Sequence, residues 1–308
     1  MSGRILITPR SLTRDGHPAL QRLAEAGYEP VFATPGRQPD EAELLERLPG
    51  CVGYLAGVEP ITARVLEAAP GLRVISRNGV GVSNIDLAAA RRLGIAVCTT
   101  PGANARGVAE LAIAMMLALA RRLAWSDARL KRGTWARAEG MEIEGKTLGL
   151  VGCGAIGKQV ARMAVGLGMT VKGYDPYPDA AFALAGFAYA SLDDVLRSAD
   201  VLSLHCPPPA DGSPAIAAAE LARMKPGALL LNTARGELLD DAAVLAALDA
   251  GTLGGLAVDA YRSEPPGDDP LVKHERVLAT PHVGGYTTES VERAVSQAVA
   301  NLLAALAP

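Results

Sequence analysis

Aromatic residues are scarce in this sequence, and the numbers of basic and acidic residues are nearly equal. Phe, Tyr and Trp make up 4% of the 308 residues, so we expect no stacking platform for nucleic-acid bases. The formal net charge of -3 gives no electrostatic reason for binding nucleic acid or an anionic membrane. The most apolar helical run, residues 111–120, is too short to span a bilayer. The composition therefore predicts a globular protein without a nucleic-acid or membrane partner.

Cysteine is also rare, with only four in the chain. None is spaced as Cys-x-x-Cys, so we expect buried thiols and neither a disulfide framework nor a metal site. The first ten residues, MSGRILITPR, lack the long apolar core of a signal peptide. These features together predict a cytoplasmic protein.

Short apolar runs alternate with longer amphipathic segments along most of the chain. This alternation predicts parallel sheets covered by helices on both faces. The pattern changes near residue 107, where residues 108–123 are expected to form one long apolar helix, and then restarts. A final helix is predicted at about 288–306 from its helical apolar spacing. We therefore predict two α/β domains, each a doubly wound parallel sheet of the Rossmann or flavodoxin type, with a cleft between them.

A dinucleotide-binding fingerprint lies in KTLGLVGCGAIGKQVA, residues 146–161. Gly152 permits the tight turn after a strand, Gly154 lets a pyrophosphate approach the backbone, and Gly157 lets the helix pack closely. Asp175 ends the next predicted strand, where a carboxylate binds the adenosine ribose hydroxyls and repels a 2′-phosphate. The motif therefore predicts NAD, in preference to NADP, as the cofactor.

Charged or titratable residues follow three later apolar strands. Arg235 comes after one, Glu264 after the second and His282 after the third. Ligands of doubly wound sheets bind at the carboxyl ends of the strands, so these three side chains are candidates for one site.

Several motifs together resemble one enzyme family over nearly the whole length of the chain. They are RNGVGVSNID (77–86), NARGVAEL (104–111), GLVGCGAIG (149–157), NTARGELLD (232–240), AVDAYRSEPP (257–266) and TPHVGGYT (280–287). The chain resembles the D-isomer-specific 2-hydroxyacid dehydrogenases, and within them the phosphoglycerate dehydrogenase-like branch. The resemblance implies a discontinuous substrate domain, 1–98 plus 286–308, and an NAD-binding Rossmann domain, 99–285.

The resemblance also implies roles for the three strand-end residues. Arg235 is expected to bind the substrate carboxylate and polarise the carbonyl, while His282 exchanges a proton with the substrate oxygen. Glu264 is expected to hydrogen-bond the imidazole and raise its basicity. Further substrate contacts are expected from Gly79, Val80 and Asn104.

The cofactor-binding residues implied by the resemblance are spread over several strand ends. They are Gly152, Gly154, Ala155, Ile156, Gly157, Asp175, Cys206, Pro207, Thr233, Ala234, Asp259, His282 and Gly284. Asp259 is expected near the nicotinamide carboxamide. His205 is expected to be structural or adjacent to the cofactor, and His17 and His274 to be solvated.

The implied activity is that of an NAD-dependent D-2-hydroxyacid dehydrogenase that works as a homodimer, with Trp135 a candidate for the subunit contact. The expected substrate pair is 3-phosphoglycerate and phosphohydroxypyruvate, for which Arg10, Arg77 and Arg106 are candidate phosphate ligands. The alternatives are a glyoxylate or hydroxypyruvate reductase, or a non-catalytic NAD-sensing scaffold of the same fold. We expect no C-terminal regulatory domain and therefore no feedback by serine.

Overall fold

The computed structural model describes residues 3–307 and divides the chain into two compact units. One comprises the residues up to Asn104 together with those from Thr288 onward, and the other comprises Ala105–Thr287. The sequence placed these boundaries after residues 98 and 285, a few positions earlier.

The first unit is built on a five-stranded parallel sheet with the order β2-β1-β3-β4-β5. Its strands are β1 (Arg4–Ile7), β2 (Glu29–Phe32), β3 (Cys51–Ala56), β4 (Val74–Arg77) and β5 (Ala96–Cys98). Its helices are α1 (Arg10–Asp15), α2 (Gln21–Glu25), α3 (Glu41–Arg47), α4 (Ala63–Glu67), α5 (Leu87–Arg92), a 3-10 turn at Pro18–Leu20 and the last helix of the chain, Thr288–Leu306.

The last helix covers one face of this five-stranded sheet. Its buried side chains recur at helical spacing and pack against apolar residues of the strands: Val295, Ala298, Val299, Leu302 and Leu306 meet Ile5, Ile7, Leu55 and Val74. Gly53 lies under the helix, where a Cβ would be only 3.2 Å from the Leu306 side chain. A segment remote in sequence therefore completes the core of the first unit.

The second unit is built on a seven-stranded parallel sheet with the order β12-β11-β10-β9-β6-β7-β8. Its strands are β6 (Thr147–Val151), β7 (Thr170–Tyr174), β8 (Phe187–Tyr189), β9 (Val201–Leu204), β10 (Ala228–Asn232), β11 (Leu253–Val258) and β12 (Val277–Ala279). Its helices are α6 (Ala105–Ala120), α7 (Leu123–Lys131), α8 (Ala155–Gly166), α9 (Leu192–Ser198), α10 (Ala218–Leu221), α11 (Asp241–Asp249), α12 (Pro270–Lys273) and a 3-10 turn at Gly236–Leu238.

Both faces of the seven-stranded sheet are covered by apolar clusters, and its central strands are buried along almost their whole length. Continuous burial of this kind is typical of parallel strands between two helical layers. The two parallel-sheet units confirm the predicted fold class. The strand order reverses at β6, which lies between β7 and β9, so the ligand crevice of this unit is expected at the carboxyl ends of β6 and β9.

The single helix expected over residues 108–123 is wrong at both ends. The helix α6 starts at Ala105 and stops at Ala120, and Arg122 then adopts a left-handed backbone with a φ of 50°. A second helix, α7, follows directly. Apolar periodicity does not reveal such a break, because no glycine or proline marks it. Within residues 3–307, no helix is both long enough and apolar enough to cross a bilayer.

Candidate active site

Two glycines of the turn after β6 leave no room for a side chain, and a third borders open space. Gly152 has a φ of +95°, and a Cβ there would lie 2.6 Å from the carbonyl carbon of His205. A Cβ on Gly157 would lie 2.2 Å from the carbonyl oxygen of Gly152, so α8 packs directly on the turn. At Gly154, the N-cap of α8, a Cβ would meet nothing within 4 Å. The turn therefore leaves open space at a helix N-terminus, which suits a pyrophosphate.

Asp175 follows β7 and is held against this turn. Its Oδ2 accepts a hydrogen bond from the backbone N–H of Cys153 at 2.8 Å, and its Oδ1 accepts one from the N–H of Tyr177 at 2.9 Å. Each carboxylate oxygen has a second lone pair for a ribose hydroxyl. The neighbouring Cys153 thiol is inert, because burial raises its pKa to about 12.

The ends of β9 and β10 carry buried polar atoms without partners. The Nε2 of His205 lies 2.9 Å from the Ser203 hydroxyl, and burial lowers the pKa of His205 to about 4, so the ring is neutral at pH 7. Among residues 3–307, the Nδ1 of His205 and the hydroxyl of Thr233 find no hydrogen-bond partner. Buried polar atoms are normally satisfied. These orphaned atoms, together with the glycine turn, fit a dinucleotide at this edge.

The turn after β10 is organised by Asn232, a residue that the sequence reasoning missed. Its amide donates to the carbonyl oxygen of Arg235 at 2.7 Å, and its Oδ1 accepts from the N–H of Ala234 at 3.1 Å. Its position at the end of a buried strand is the sequence feature that could have identified it as a site residue.

Four other predicted cofactor residues lie at the same edge of the sheet. They are Ala155 and Ile156 in the first turn of α8 and Cys206 and Pro207 after β9.

His282 and Glu264 meet at the next two strand ends. The Nδ1 of His282 lies 2.7 Å from Oε1 and 2.9 Å from Oε2 of Glu264. The Oε1 atom also accepts the N–H of Tyr261 at 3.2 Å. The His282 side chain remains 48% exposed and its backbone is left-handed, with a φ of 52°. A non-glycine residue in that conformation is unusual and is often found at functional sites.

Asp259 is buried behind His282 and holds its loop on both sides. Its Oδ1 accepts hydrogen bonds from the Thr280 hydroxyl at 2.6 Å and from the Val283 N–H at 2.8 Å, and its Oδ2 accepts the Gly284 N–H at 2.8 Å. A Cβ on Gly284 would lie 2.9 Å from that Oδ2, so a glycine fits best there. Both carboxylate oxygens therefore position the histidine loop.

Arg235 projects from the turn after β10 and is exposed. Its Nη1 donates to the carbonyl oxygen of Ala234 at 2.7 Å. A Cβ on Gly236 would lie 2.3 Å from the backbone nitrogen of Arg262, so this turn packs tightly on the segment that leads to Glu264. The three predicted catalytic residues thus follow the neighbouring strands β10, β11 and β12 at one edge of the sheet.

The sequence of the second unit matches the model of a known protein family. The model of the D-isomer specific 2-hydroxyacid dehydrogenase NAD binding domain matches residues 113–284. The chain belongs to the D-isomer-specific 2-hydroxyacid dehydrogenase family. This confirms the resemblance seen in the motifs, and NAD is the cofactor of the domain.

Individual family members extend the similarity to both units. The D-3-phosphoglycerate dehydrogenase of Mycobacterium tuberculosis is 38% identical over 273 residues, which are 87% of this chain and 52% of that protein. The chain spans about half the length of the curated relatives it matches. The structure of the TT0316 protein from Thermus thermophilus aligns with a TM-score of 0.89 and 39% identity, covering 98% of this chain and 96% of the other. A glyoxylate reductase from Paecilomyes thermophila aligns with a TM-score of 0.87 and 27% identity, covering 99% and 95%.

The substrate residues predicted for this family member in the first unit follow β4 and β5. Gly79 has a φ of +150°, and its carbonyl oxygen accepts the N–H of Thr100 at 3.0 Å. Val80 is 45% exposed in the same loop, and Asn104 is half-buried at the end of the unit's first segment.

The sequence reasoning also missed a buried carboxylate in the loop after β3, whose backbone holds the end of the loop that follows β4. Glu59 is 1% exposed, and its Oε1 accepts the Tyr54 hydroxyl at 2.6 Å and the Gly57 N–H at 2.9 Å. Its carbonyl oxygen accepts the side-chain amide of Asn84 at 2.7 Å. The sequence around Glu59 does not indicate this burial, because an acidic residue between two apolar runs is equally typical of an exposed loop.

The three arginines considered for a substrate phosphate all have polar partners. Arg10 donates to Gln38 Oε1 at 2.8 Å, and Arg106 pairs with Glu110 at 2.5 Å. Arg77 donates to the carbonyl oxygen of Asn78. Of these partners, only Glu110 carries a compensating charge.

Two histidines expected to be solvated are not, and that expectation was wrong. The His17 side chain is 11% exposed, and its Nδ1 accepts the Ala19 N–H at 3.1 Å. The His274 side chain is 16% exposed, and its Nδ1 accepts the Arg276 N–H at 3.1 Å. The Nδ1 of each imidazole caps a local turn, while its Nε2 lies near an acid distant in sequence, Glu292 for His17 and Asp249 for His274.

Proposed function

We propose that this chain is an NAD-dependent oxidoreductase that transfers a hydride between the nicotinamide and the C2 position of a D-2-hydroxy acid or 2-oxo acid. The observation that carries the proposal is the 2.7 Å contact between His282 and Glu264 at the sheet edge of an NAD-binding domain. Bound NAD supplies the hydride chemistry, and the protein supplies position, charge and a proton.

The geometry favours His282 as the group that exchanges the proton. The Glu264 carboxylate accepts from Nδ1–H, which leaves Nε2 as the atom that faces the substrate oxygen. In oxidation, neutral Nε2 takes the hydroxyl proton, and the carboxylate stabilises the imidazolium. In reduction, Nε2–H returns it to the carbonyl oxygen. Arg235, permanently charged and exposed at the same edge, binds the substrate carboxylate through two parallel hydrogen bonds.

The substrate pair that we propose is 3-phosphoglycerate and phosphohydroxypyruvate. The support is the 38–39% identity to proteins named D-3-phosphoglycerate dehydrogenase in Mycobacterium tuberculosis and Methanocaldococcus jannaschii. The second candidate is reduction of glyoxylate or hydroxypyruvate. It is favoured by the polar partners that Arg10, Arg77 and Arg106 already have.

A spectrophotometric screen of NADH oxidation tests both candidates. It compares phosphohydroxypyruvate, hydroxypyruvate, glyoxylate, pyruvate and 2-oxoglutarate, and repeats each with NADPH. Preference for phosphohydroxypyruvate with NADH is the expected result, and preference for glyoxylate or hydroxypyruvate supports the second candidate. Tight NADH binding without turnover of any 2-oxo acid would instead indicate an NAD-sensing scaffold.

We propose further that two copies of the chain associate through the segment that follows α6. Three large apolar side chains are exposed there, namely Leu123 at 56%, Leu130 at 58% and Trp135 at 79%. Exposed apolar side chains clustered in one segment are typical of an interface. Sedimentation velocity should give a dimer that Leu130→Glu dissociates, whereas Leu93→Glu, at an exposed leucine of the first unit, should leave it intact.

A cytoplasmic location is also proposed. Its support is that Cys51 and Cys153 lie singly in apolar surroundings as free thiols, which suits a reducing compartment. Cell fractionation with an antibody to the native protein tests this, and recovery outside the cytoplasmic fraction would contradict it.

A further inference from the structure

A lysine at the start of α8 is held in an ion pair beside the glycine turn. Lys158 follows Gly157 directly, and its Nζ lies 2.5 Å from Oδ2 of Asp179. The ammonium also lies 5.5 Å from the centre of the Phe182 ring, and the lysine side chain is only 24% exposed. Asp179 belongs to the segment after β7 that begins with Asp175.

Asp179 is anchored independently of the lysine. Its Oδ1 accepts the N–H of Ala181 at 3.0 Å, and its own N–H donates to the Tyr189 hydroxyl at 3.2 Å. The ion pair lowers the pKa of Asp179 and raises the pKa of Lys158, so both groups are charged at neutral pH. The position of the Asp179 carboxylate is therefore fixed by its own loop, and the flexible Lys158 side chain pairs with it there.

This ion pair joins α8 to the segment that carries Asp175, the predicted ligand of the ribose. The Asp175 carboxylate accepts the Cys153 N–H at 2.8 Å in the turn that leads into α8, and Asp179 follows Asp175 by four residues. The segment after β7 is therefore bonded twice to the glycine turn and its helix, once by each aspartate. Lys158 is a cation at this junction, and its charge is compensated by Asp179.

We propose that Asp179 helps to set the preference for NAD over NADP by keeping Lys158 from a phosphate on the ribose 2′ oxygen. The inference rests on the cofactor site described above. A compact ammonium is a ready phosphate ligand when it is free. While Asp179 holds it, Lys158 does not compensate the charge of Asp175, and electrostatic repulsion between Asp175 and a 2′-phosphate disfavours binding.

Binding measurements on the whole chain test this without requiring turnover. Isothermal titration with 2′,5′-ADP and with NADH compares the wild type with Asp179→Asn, in which the amide oxygen still accepts the Ala181 N–H. We expect 2′,5′-ADP to bind about three- to fivefold more tightly to the variant, the range of an exposed charge contact. The dissociation constant of NADH should stay within about twofold, because NADH lacks the 2′-phosphate. Asp179→Ser provides the same test with a smaller side chain.

A matched control separates this effect from a general change of charge. Asp193→Asn removes a carboxylate of similar exposure, 47% against 44%, that pairs with Arg197 on α9 at 2.8 Å. It should leave 2′,5′-ADP binding unchanged. In the double variant Lys158→Ala/Asp179→Asn the gain should disappear.

Equal affinities in the Asp179 and Asp193 variants would overturn the inference, and so would a gain that survives the loss of Lys158. If the wild type binds NADH but Asp179→Asn gains nothing, only this inference fails. If the wild type does not bind NADH, the assignment of the cofactor site is contradicted, and the inference about Asp179 is contradicted with it.

Discussion

The Nδ1 atom of His282 lies 2.7 Å from Oε1 of Glu264, although eighteen positions of chain separate the two residues. Each residue follows a different strand, β11 or β12, and the parallel pairing of those strands places both at one edge. The carboxylate fixes the imidazole orientation and leaves Nε2 free of it. The pair is the part of the site that the proposed chemistry depends on most.

Removing either member of this pair should slow hydride transfer. We expect His282→Ala to lower kcat by about 10²- to 10⁴-fold, the usual contribution of a positioned acid or base. Glu264→Gln should lower kcat by about 10- to 100-fold, because a neutral amide does not stabilise the imidazolium. Steady-state kinetics and NADH titration measure the two effects separately. Glu237→Gln, at an exposed acid in a neighbouring turn, is the control, and normal turnover by His282→Ala would exclude the proton role.

Replacing the planar guanidinium group of Arg235 should weaken substrate binding more than cofactor binding. In Arg235→Lys the charge remains but the two parallel hydrogen bonds to a carboxylate are lost. We expect KM for the 2-oxo acid to rise by about tenfold or more, with an unchanged dissociation constant for NADH. Arg197→Lys, on the exposed face of α9, should change neither quantity. An unaltered KM in Arg235→Lys would place the substrate carboxylate elsewhere.

Asp259 should matter through the loop that carries His282. Asp259→Asn replaces one acceptor oxygen by an NH₂ group that faces backbone N–H donors, so we expect a loss of about 1–3 kcal/mol in the free energy of unfolding. Because the histidine loop shifts, kcat should fall by at least about tenfold. Thermal unfolding and steady-state kinetics measure these effects. Thr280→Val removes a single hydrogen bond to Asp259 and should have the smaller effect on both.

The buried imidazole of His205 should make the stability depend on pH. Its pKa of about 4 lies below the ordinary value of 6.5. Between these two pH values the unfolded chain binds a proton at this imidazole and the folded chain does not. This contribution is complete above pH 6.5 and is lost as the pH falls from 6.5 towards 4. At pH 5.5 the loss amounts to about 1 kcal/mol. Urea unfolding at pH 7.5 and 5.5 should show a smaller difference in His205→Gln than in the wild type, and equal differences would contradict the assignment.

The last helix should contribute strongly to the stability of the first unit. Leu302 is fully buried against the five-stranded sheet, so Leu302→Ala should lower the free energy of unfolding by about 2–4 kcal/mol. Leu303→Ala, at the adjacent half-buried position, should cost clearly less. Thermal unfolding of both variants measures the contrast, and equal costs would show that the helix does not pack as described.

Much of the fold was predictable because it depends on local patterns. The glycine turn lies between an apolar strand and an amphipathic helix, and the spacing alone indicates the steric need for Gly152 and Gly157 and the open backbone at Gly154. The final helix, predicted at 288–306, is Thr288–Leu306 in the structure. Candidate site residues could also be chosen, since His282, Glu264 and Arg235 each follow a predicted strand.

The sequence alone determined the alternation of strands and helices, the dinucleotide turn and the set of strand-end side chains, because backbone sterics and apolar periodicity act over a few residues. Only the tertiary structure decided which side chains meet. The three hydrogen bonds of Asp259, the pairing of Lys158 with Asp179 and the burial of His17 all join segments whose spacing carries no signal. Hydrogen bonds and burial depend on distances in space, and those distances exist only once the strands have been ordered in their sheets.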